Sequence, residues 1–312
     1  MVLPIARLLM LMRRGSGKDL STTKKQCVMV TNNFIDVYAD THIRSSVGMI
    51  AEAIRLTDSG SAAVLGCGRC GEIPVRLLNE TFELVDLVDI DREALAAVDE
   101  QCKKWDEEKN SYQVHCTDLT GMIARVERRA SELVAKTVDP VACLEQLGVL
   151  LESTAPEFWA PPRGERYDLL VCSMVLTQLQ ALVRESVEKI YLGRFPEYAP
   201  AMLKHKSWCE SVWNFARNLE DDFIEHLGTL IKPQGIVYLS ETVHVSWLTQ
   251  LDEQSVSTEG RWITLRTSRL TDYLRPGDTI IKEQHWDWLR EDKEGDFCGR
   301  LYGVQAVIYR VS

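Results

Sequence analysis

The chain lacks an excess of positive charge. Its 312 residues carry 36 Lys and Arg against 46 Asp and Glu, a formal net charge of -10. Gripping a phosphate backbone needs cations on at least one face, so the balance disfavours nucleic acid as a partner and favours a small, neutral or cationic substrate. A long apolar run is also missing. Met1 to Met12 is apolar but falls short of the roughly 20 residues that a membrane span needs. Its charges, Arg7, Arg13 and Arg14, do not precede the run as in a secretion signal. The expectation is a short core-packing helix with no membrane association. There is no second C-x-x-C beyond Cys67 and Cys70 and no histidine pair at ligand spacing, so no metal site is expected. The nine cysteines are odd in number and irregularly spaced. They read as reduced thiols of a cytoplasmic protein. No internal repeat or low-complexity tract is present.

Hydrophobic residues make up 45% and charged residues 26%, a globular balance. Gly15 to Lys25 is polar and reads as a loop. Asn33 to Leu56 has apolar positions at helical spacing, giving a helical extension over residues 1–60. The pattern then changes to short apolar strands alternating with helices. Strands are expected at Ser61–Leu65, Phe82–Val88, Tyr112–Cys116, Tyr167–Cys172 and Gly235–Ser240. Helices are expected from near Glu72 and over Arg92–Trp105. This rhythm implies a doubly wound, mostly parallel sheet. Thr279–Leu289 and Val304–Val311 have no helical pattern between them, so they read as an antiparallel hairpin closing that sheet at its edge. Two long stretches, about 121–166 and 180–222, exceed simple connections and read as helical insertions. The domain from 61 to 312 therefore carries two additions.

The chemistry concentrates at Gly66-Cys67-Gly68-Arg69-Cys70-Gly71. Glycines let the backbone turn sharply and approach a ligand without a Cβ in the way. The loop follows a strand, precedes a helix and is answered by an acid at the end of the next strand, Asp89 in Leu87-Val88-Asp89-Ile90-Asp91. An acid there can accept both hydroxyls of a ribose. Asp91 is better placed to cap the following helix. Cys67 and Cys70 are a possible redox pair, but small side chains in a glycine loop are the simpler account.

These segments resemble the class I, Rossmann-like, S-adenosylmethionine-dependent methyltransferases from about Ala62 onward. Residues 63–71 resemble the family's glycine motif and residues 88–91 its ribose-binding acid. Residues 116–119 resemble the segment whose acid, here Asp118, meets the adenine amino group. Residues 167–179 resemble the fourth-strand motif along the cofactor and substrate, and residues 230–237 the turn into the fifth strand, where the family often has Gly in place of Gln234. The resemblance implies a seven-stranded sheet and S-adenosylmethionine as cofactor. It implies contacts from Gly66, Cys67, Gly68, Asp89, Ile90, Asp118, Leu119, Ser173 and Met174. The family's amino-methylating tetrapeptide Asn/Asp-Pro-Pro-Tyr is absent; Cys172-Ser173-Met174-Val175 stands in its place.

Methyl transfer needs alignment more than it needs a base, so no catalytic residue is required by the pattern. His205, in an aromatic-rich block, and His244, beyond the fifth strand, are the candidate general bases. Tyr38, Gln178 and Trp208 are candidate pocket walls, with Asn33 beside Tyr38 as part of a lid, although aromatics at helical spacing also serve as plain core. No oligomeric state follows from the pattern. Two other readings fit the loop. One is an NAD- or flavin-dependent oxidoreductase, because the loop satisfies a dinucleotide fingerprint. The other is a non-catalytic binding protein on the same fold.

Overall fold

The computed structural model describes residues 27–29, 33–58, 60–105, 111–250, 255–258, 263–264, 269–290 and 297–312. Met1 to Met12 and Gly15 to Lys25 lie outside the described residues. In chain order the elements are β1 (Cys27–Met29), α1 (Asn33–Arg55), β2 (Ser61–Leu65), α2 (Val75–Thr81), β3 (Leu84–Asp89), α3 (Arg92–Trp105), β4 (Tyr112–Cys116), α4 (Ile123–Lys136), α5 (Pro140–Ser153) and β5 (Tyr167–Ser173). There follow α6 (Leu176–Arg194), the short α7 (Ala199–Met202), α8 (Lys206–Leu230), β6 (Ile231–Gln250), β7 (Ser255–Thr258), β8 (Ile263–Thr264), β9 (Thr279–Arg290) and β10 (Phe297–Arg310). They fall into two compact units. One draws on Lys18–Cys116, Glu165–Val175 and Gly228–Ser312; the other on Thr117–Gly164 and Leu176–Leu227.

The first unit is the sheet. Its main strands run in the order β4-β3-β2-β5-β6-β10-β9. β4, β3, β2, β5 and β6 are parallel. β10 enters antiparallel between β6 and β9. The expected closing hairpin is therefore present, with the last strand inserted and β9 at the edge. Alternate residues of the strands (Ala62, Val64, Val85, Leu87, Leu169 and Val171 among them) point to one face. There they pack with Met49, Ile50 and Ala53 of α1, Leu78 of α2 and Leu95 and Val98 of α3. Burying each Val or Leu stabilises by about 1.5–3 kcal/mol, so this face anchors the strand ends. The intervening Ala63, Leu65, Val88, Leu170 and Cys172 are buried as well, as expected of parallel strands covered on both faces.

Three expectations need correction. β6 runs for 20 residues, where the sequence pattern gave six from Gly235 to Ser240. Its far half pairs with β7 and β8, and β7 with β1, so three short strands extend the expected seven-stranded sheet. Strands of two to four residues are too short to show a period of two. β1 also places a strand in the extension expected to be helical. Finally, the helix after the glycine loop begins at Val75 rather than near Glu72. Pro74 disfavours helical backbone at the residue before it, so Glu72 and Ile73 remain in a turn closed by Ile73 N–H donating to the Cys70 carbonyl.

The second unit is helical, with α4, α5, α6 and α8 as its long elements. α4 buries Val126, Ala130 and Val134, spaced by four, and exposes its charged face. Asp139 caps α5 by accepting from Val141 N–H at 3.0 Å, and Pro140 occupies the first turn, where a missing N–H costs nothing. Arg184 on α6 is 2% exposed and lies 3.4 Å from the carboxylate of Glu188. The unit thus holds an ion pair in its interior.

Candidate functional site

The carboxyl end of β2 delivers the chain into Gly66. Its N–H and that of Cys67 both donate to the Val88 carbonyl, at 2.8 and 3.1 Å, tying the loop to the end of β3. Gly66 has φ +70, and a Cβ there would lie 2.5 Å from Val175 Cγ2, so no other residue fits without displacing the chain beyond β5. Gly68 also has positive φ and opens onto free space. Cys70 takes a left-handed conformation, φ 54, despite its side chain. Such backbone strain persists only where the surroundings hold it. Here Cys70 N–H donates to the Cys67 carbonyl at 2.9 Å.

Asp89 ends β3 and organises the loop. One carboxylate oxygen accepts from Gly68 N–H at 2.7 Å, the other from Asp91 N–H at 2.8 Å. Each oxygen keeps a further lone pair for a ligand. Asp91 accepts from Glu93 and Ala94 N–H at 2.9 and 3.0 Å, the geometry of a helix N-cap. Ile90, between the two acids, is 40% exposed, which is unusual for an aliphatic side chain at a strand end.

β5 brings Ser173 and Met174 beside this loop, because β5 is the neighbour of β2. Met174 has φ 57, and its N–H donates to the Ser240 carbonyl at 2.9 Å. Ser173 Oγ lies 3.2 Å from Ser240 Oγ and 3.4 Å from a carboxylate oxygen of Glu72. The hydroxyl of Tyr238 faces Ser240, Ser46 and Ser173. Burial pushes the Glu72 carboxyl above the ordinary carboxylate range, opposed by its own backbone N–H and the Ser173 hydroxyl. Sequence reasoning missed Glu72 and Ser240. The signals were an acid directly after the glycine loop and a serine in register with Ser173.

The Cys70 thiol of the Cys67-x-x-Cys70 pair is held protonated. Hydrogen bonding to Cys67, and then burial, push the Cys70 thiol far up. Both thiols are free, and no group of three metal-ligand side chains occurs among the described residues.

The open end of the sheet therefore has five parallel strands with chain reversal between β2 and β5, the place where ligands bind in open α/β sheets. No protein-family model matches the chain, and no curated protein matches it. Solved structures do match. TehB from Haemophilus influenzae shares 12% identity at a TM-score of 0.41, over 85% of this chain and 62% of that one. This chain thus spans less than two thirds of it. Magnesium protoporphyrin IX methyltransferase from Synechocystis PCC 6803 with bound SAH shares 13% identity at 0.40, over 98% and 93%. An S-adenosylmethionine-dependent methyltransferase from Clostridium acetobutylicum shares 12% at 0.38, over 90% and 98%. What decides the architecture is the strand order with β10 inserted antiparallel. The chain has a doubly wound, mostly parallel α/β fold closed by an antiparallel strand.

The remaining candidates are placed by this fold as follows. His244, on β6, rests its ring over Gly303 of β10; a Cβ at 303 would lie 1.9 Å from the imidazole Nε2. Burial lowers its pKa, partly opposed by Asp287, so it is neutral near pH 7. Tyr38 and Asn33 lie on α1, but their side chains are outside the described residues.

The others belong to the helical unit. Asp118, two residues after β4, uses both carboxylate oxygens locally. Oδ1 accepts from Thr120 N–H and its hydroxyl at 2.9 and 2.8 Å, and Oδ2 from Ile123 N–H at 2.9 Å, capping α4. Leu119 is 7% exposed. Gln178 is exposed on α6. His205 Nδ1 accepts from Trp208 N–H at 3.3 Å and so starts α8 as a cap. Trp208 is 0% exposed, within the interior.

Proposed function

We propose that the protein transfers a methyl group from S-adenosylmethionine to a small-molecule acceptor. The observation that carries this reading is the glycine loop, braced by Asp89, at the β2/β5 reversal of a sheet closed by an inserted antiparallel strand. The residues present fit the cofactor. Gly66 and Gly68 leave a path for a ligand close to the backbone. Asp89 has acceptor capacity for a ribose, with Cys67 beside it. Exposed Ile90 offers an apolar face for a base, and Ser173 and Met174 border the methionine side. Asp118 and Leu119 stay with this reading as the adenine-side contacts implied by the family resemblance. When bound, the cofactor supplies an electrophilic methyl carbon on a sulfonium. The chain's own residues bind, orient and shield; alignment of that kind supplies much of the rate in a displacement. Nothing in the reading requires a base. His244 is the candidate if the acceptor begins as a hydroxyl or ammonium, since a neutral imidazole can take the proton. His205 and Trp208 are left out because each is engaged within the helical unit. The acidic net charge supports a small acceptor over a polyanion.

Calorimetric titration tests the reading. S-adenosylmethionine should bind the folded protein and NAD should not, and Asp89→Ala should weaken binding at least tenfold. Absence of binding, or preference for NAD, removes the proposal in favour of an oxidoreductase or a non-catalytic protein.

A further inference from the structure

Gly303 of β10 sits between an imidazole and a carboxylate. Pairing of β6 with β10 and of β10 with β9 sets His244, Gly303 and Asp287 directly opposite one another in a single cross-strand row. Residues opposed in antiparallel strands share a face, so the two side chains stand on the same side with only a glycine between them. The imidazole uses that gap. A Cβ added at Gly303 would fall on Nε2, with Cε1 and Cδ2 next nearest, so the outer edge of the ring lies over the glycine and leans from β6 toward β9. The next row on this face is Glu241, Gln305 and His285. Those groups have other partners. Glu241 accepts from the Thr242 N–H and hydroxyl at 2.8 and 3.1 Å. Gln305 donates to Glu283 at 2.8 Å, and His285 Nε2 lies 2.9 Å from the same Glu283 oxygen.

The backbone brings His244 to this face by a bulge. Val304 opposes Thr242 and Gly303 opposes His244, so Val243 is an extra residue on β6. Strict alternation from Ser240 would put Thr242 and His244 on one face, the one that packs against α1. The extra residue turns His244 to the other, where Asp287 stands. Bulges re-aim side chains in this way, and a glycine inside a strand marks a place where another group comes close. The ring feels its neighbours. Burial lowers the His244 pKa, Asp287 opposes that, and His285 adds to it. A carboxylate at one imidazole nitrogen fixes the tautomer and leaves the other nitrogen as the acceptor.

We propose that Asp287 is the positioning residue for His244, its carboxylate accepting from Nε2–H across Gly303 so that Nδ1 is left as the proton acceptor. For its use this rests on the functional reading above, which it deepens by naming what prepares the base. It fits an acceptor whose nucleophile starts protonated. The placement agrees. Ser240, in register with Ser173 at the donor site, lies four residues earlier on β6, so His244 stands past the end of β5 on the outer side of that site. Asp287 itself touches neither donor nor acceptor and acts through the imidazole.

The test is nitrogen-15 NMR of the histidine rings in the full chain without ligand, followed through a pH titration. The His244 signals are those lost in His244→Gln. In wild type the neutral ring is expected to carry its proton on Nε2. Asp287→Asn should mix the tautomers and lower the His244 titration midpoint by about 0.5 pH unit or more, because a carboxylate that favours the cation is gone. Asp287→Glu should restore both. Gly303→Ala should reproduce the Asp287→Asn result with the carboxylate still present, since its Cβ displaces the ring. A wild-type proton on Nδ1, or a midpoint and tautomer untouched by Asp287→Asn, would overturn the proposal. So would a larger shift from Glu283→Gln than from Asp287→Asn, or a Gly303→Ala ring that behaves as wild type. These readings need no ligand. A chain that binds no S-adenosylmethionine therefore sinks the functional reading and not the pair, while loss of the pair leaves the functional reading standing with His244 unprepared as its base.

Discussion

The sheet unit and the helical unit treat their polar side chains in opposite ways. In the helical unit several chemically suggestive residues are engaged by their own neighbourhood. Asp118 and Asp139 cap α4 and α5, His205 starts α8, and Arg184 is paired with Glu188 in the interior. At the open end of the sheet, Asp89 keeps spare acceptor capacity and Glu72 is half-buried beside the Ser173 hydroxyl, with no cation paired to it among the described residues. The lesson is that residue type alone does not separate a ligand contact from a helix cap. What separates them is which N–H groups the carboxylate accepts from: those at a helix start for Asp118 and Asp139, those of the glycine loop and of Asp91 for Asp89.

The comparison can be broken by substitution. Arg184→Ala should produce the largest loss, about 3–5 kcal/mol in urea melts, because Glu188 is left buried without its partner. Replacing both by Met and Leu should restore most of it; failure to do so would show that the pair does more than neutralise itself. Gly66→Ala comes next. Its Cβ collides with Val175 at a positive φ, so affinity for S-adenosylmethionine should fall on the order of 100-fold with the fold retained by circular dichroism.

A pH effect follows. His42 Nδ1 accepts from the indole N–H of Trp286 at 3.0 Å, its ring stacks on Trp288, and burial lowers its pKa to about 4. The unfolded chain then binds a proton that the folded chain refuses. Stability from this residue is intact above pH 6.5 and is lost as pH falls toward 4. Between pH 7 and pH 5 the loss should be about 2 kcal/mol; a His42→Gln variant that keeps the full pH dependence would argue against this origin. The smallest effect is Asp118→Ala, about 1 kcal/mol for a lost cap, with less effect on S-adenosylmethionine affinity than Asp89→Ala. The reverse ranking would move the principal contact into the helical unit.

Much of the sheet was legible in the sequence, because buried parallel strands read as short apolar runs with glycines or acids at their carboxyl ends. β2 and β4 begin and end where the pattern places them. Gln234 was legible as an oddity, and its φ of 65 explains why glycine is common at that turn. Asp91 as a cap was legible from its place before Arg92. The turn at Glu72 was not, because helical spacing at Ile73 overshadowed Pro74. The left-handed Cys70 was not, because no local rule assigns that backbone to cysteine. The contact between Glu72 and Ser173 was not legible either; it depends on a strand a hundred residues away.

The insertion of β10 between β6 and β9 has a consequence for how the chain reaches this state. Among the described residues β9 pairs with β10 alone in the sheet. Until residues 297–310 leave the ribosome, β9 has no partner, and the β6 edge that β10 will cover stays open. The parallel strands up to β6 can assemble earlier, since their partners are already made. Completion of the sheet is therefore a late, non-local event of the slow kind, and two open strand edges are what a chaperone would meet in the meantime.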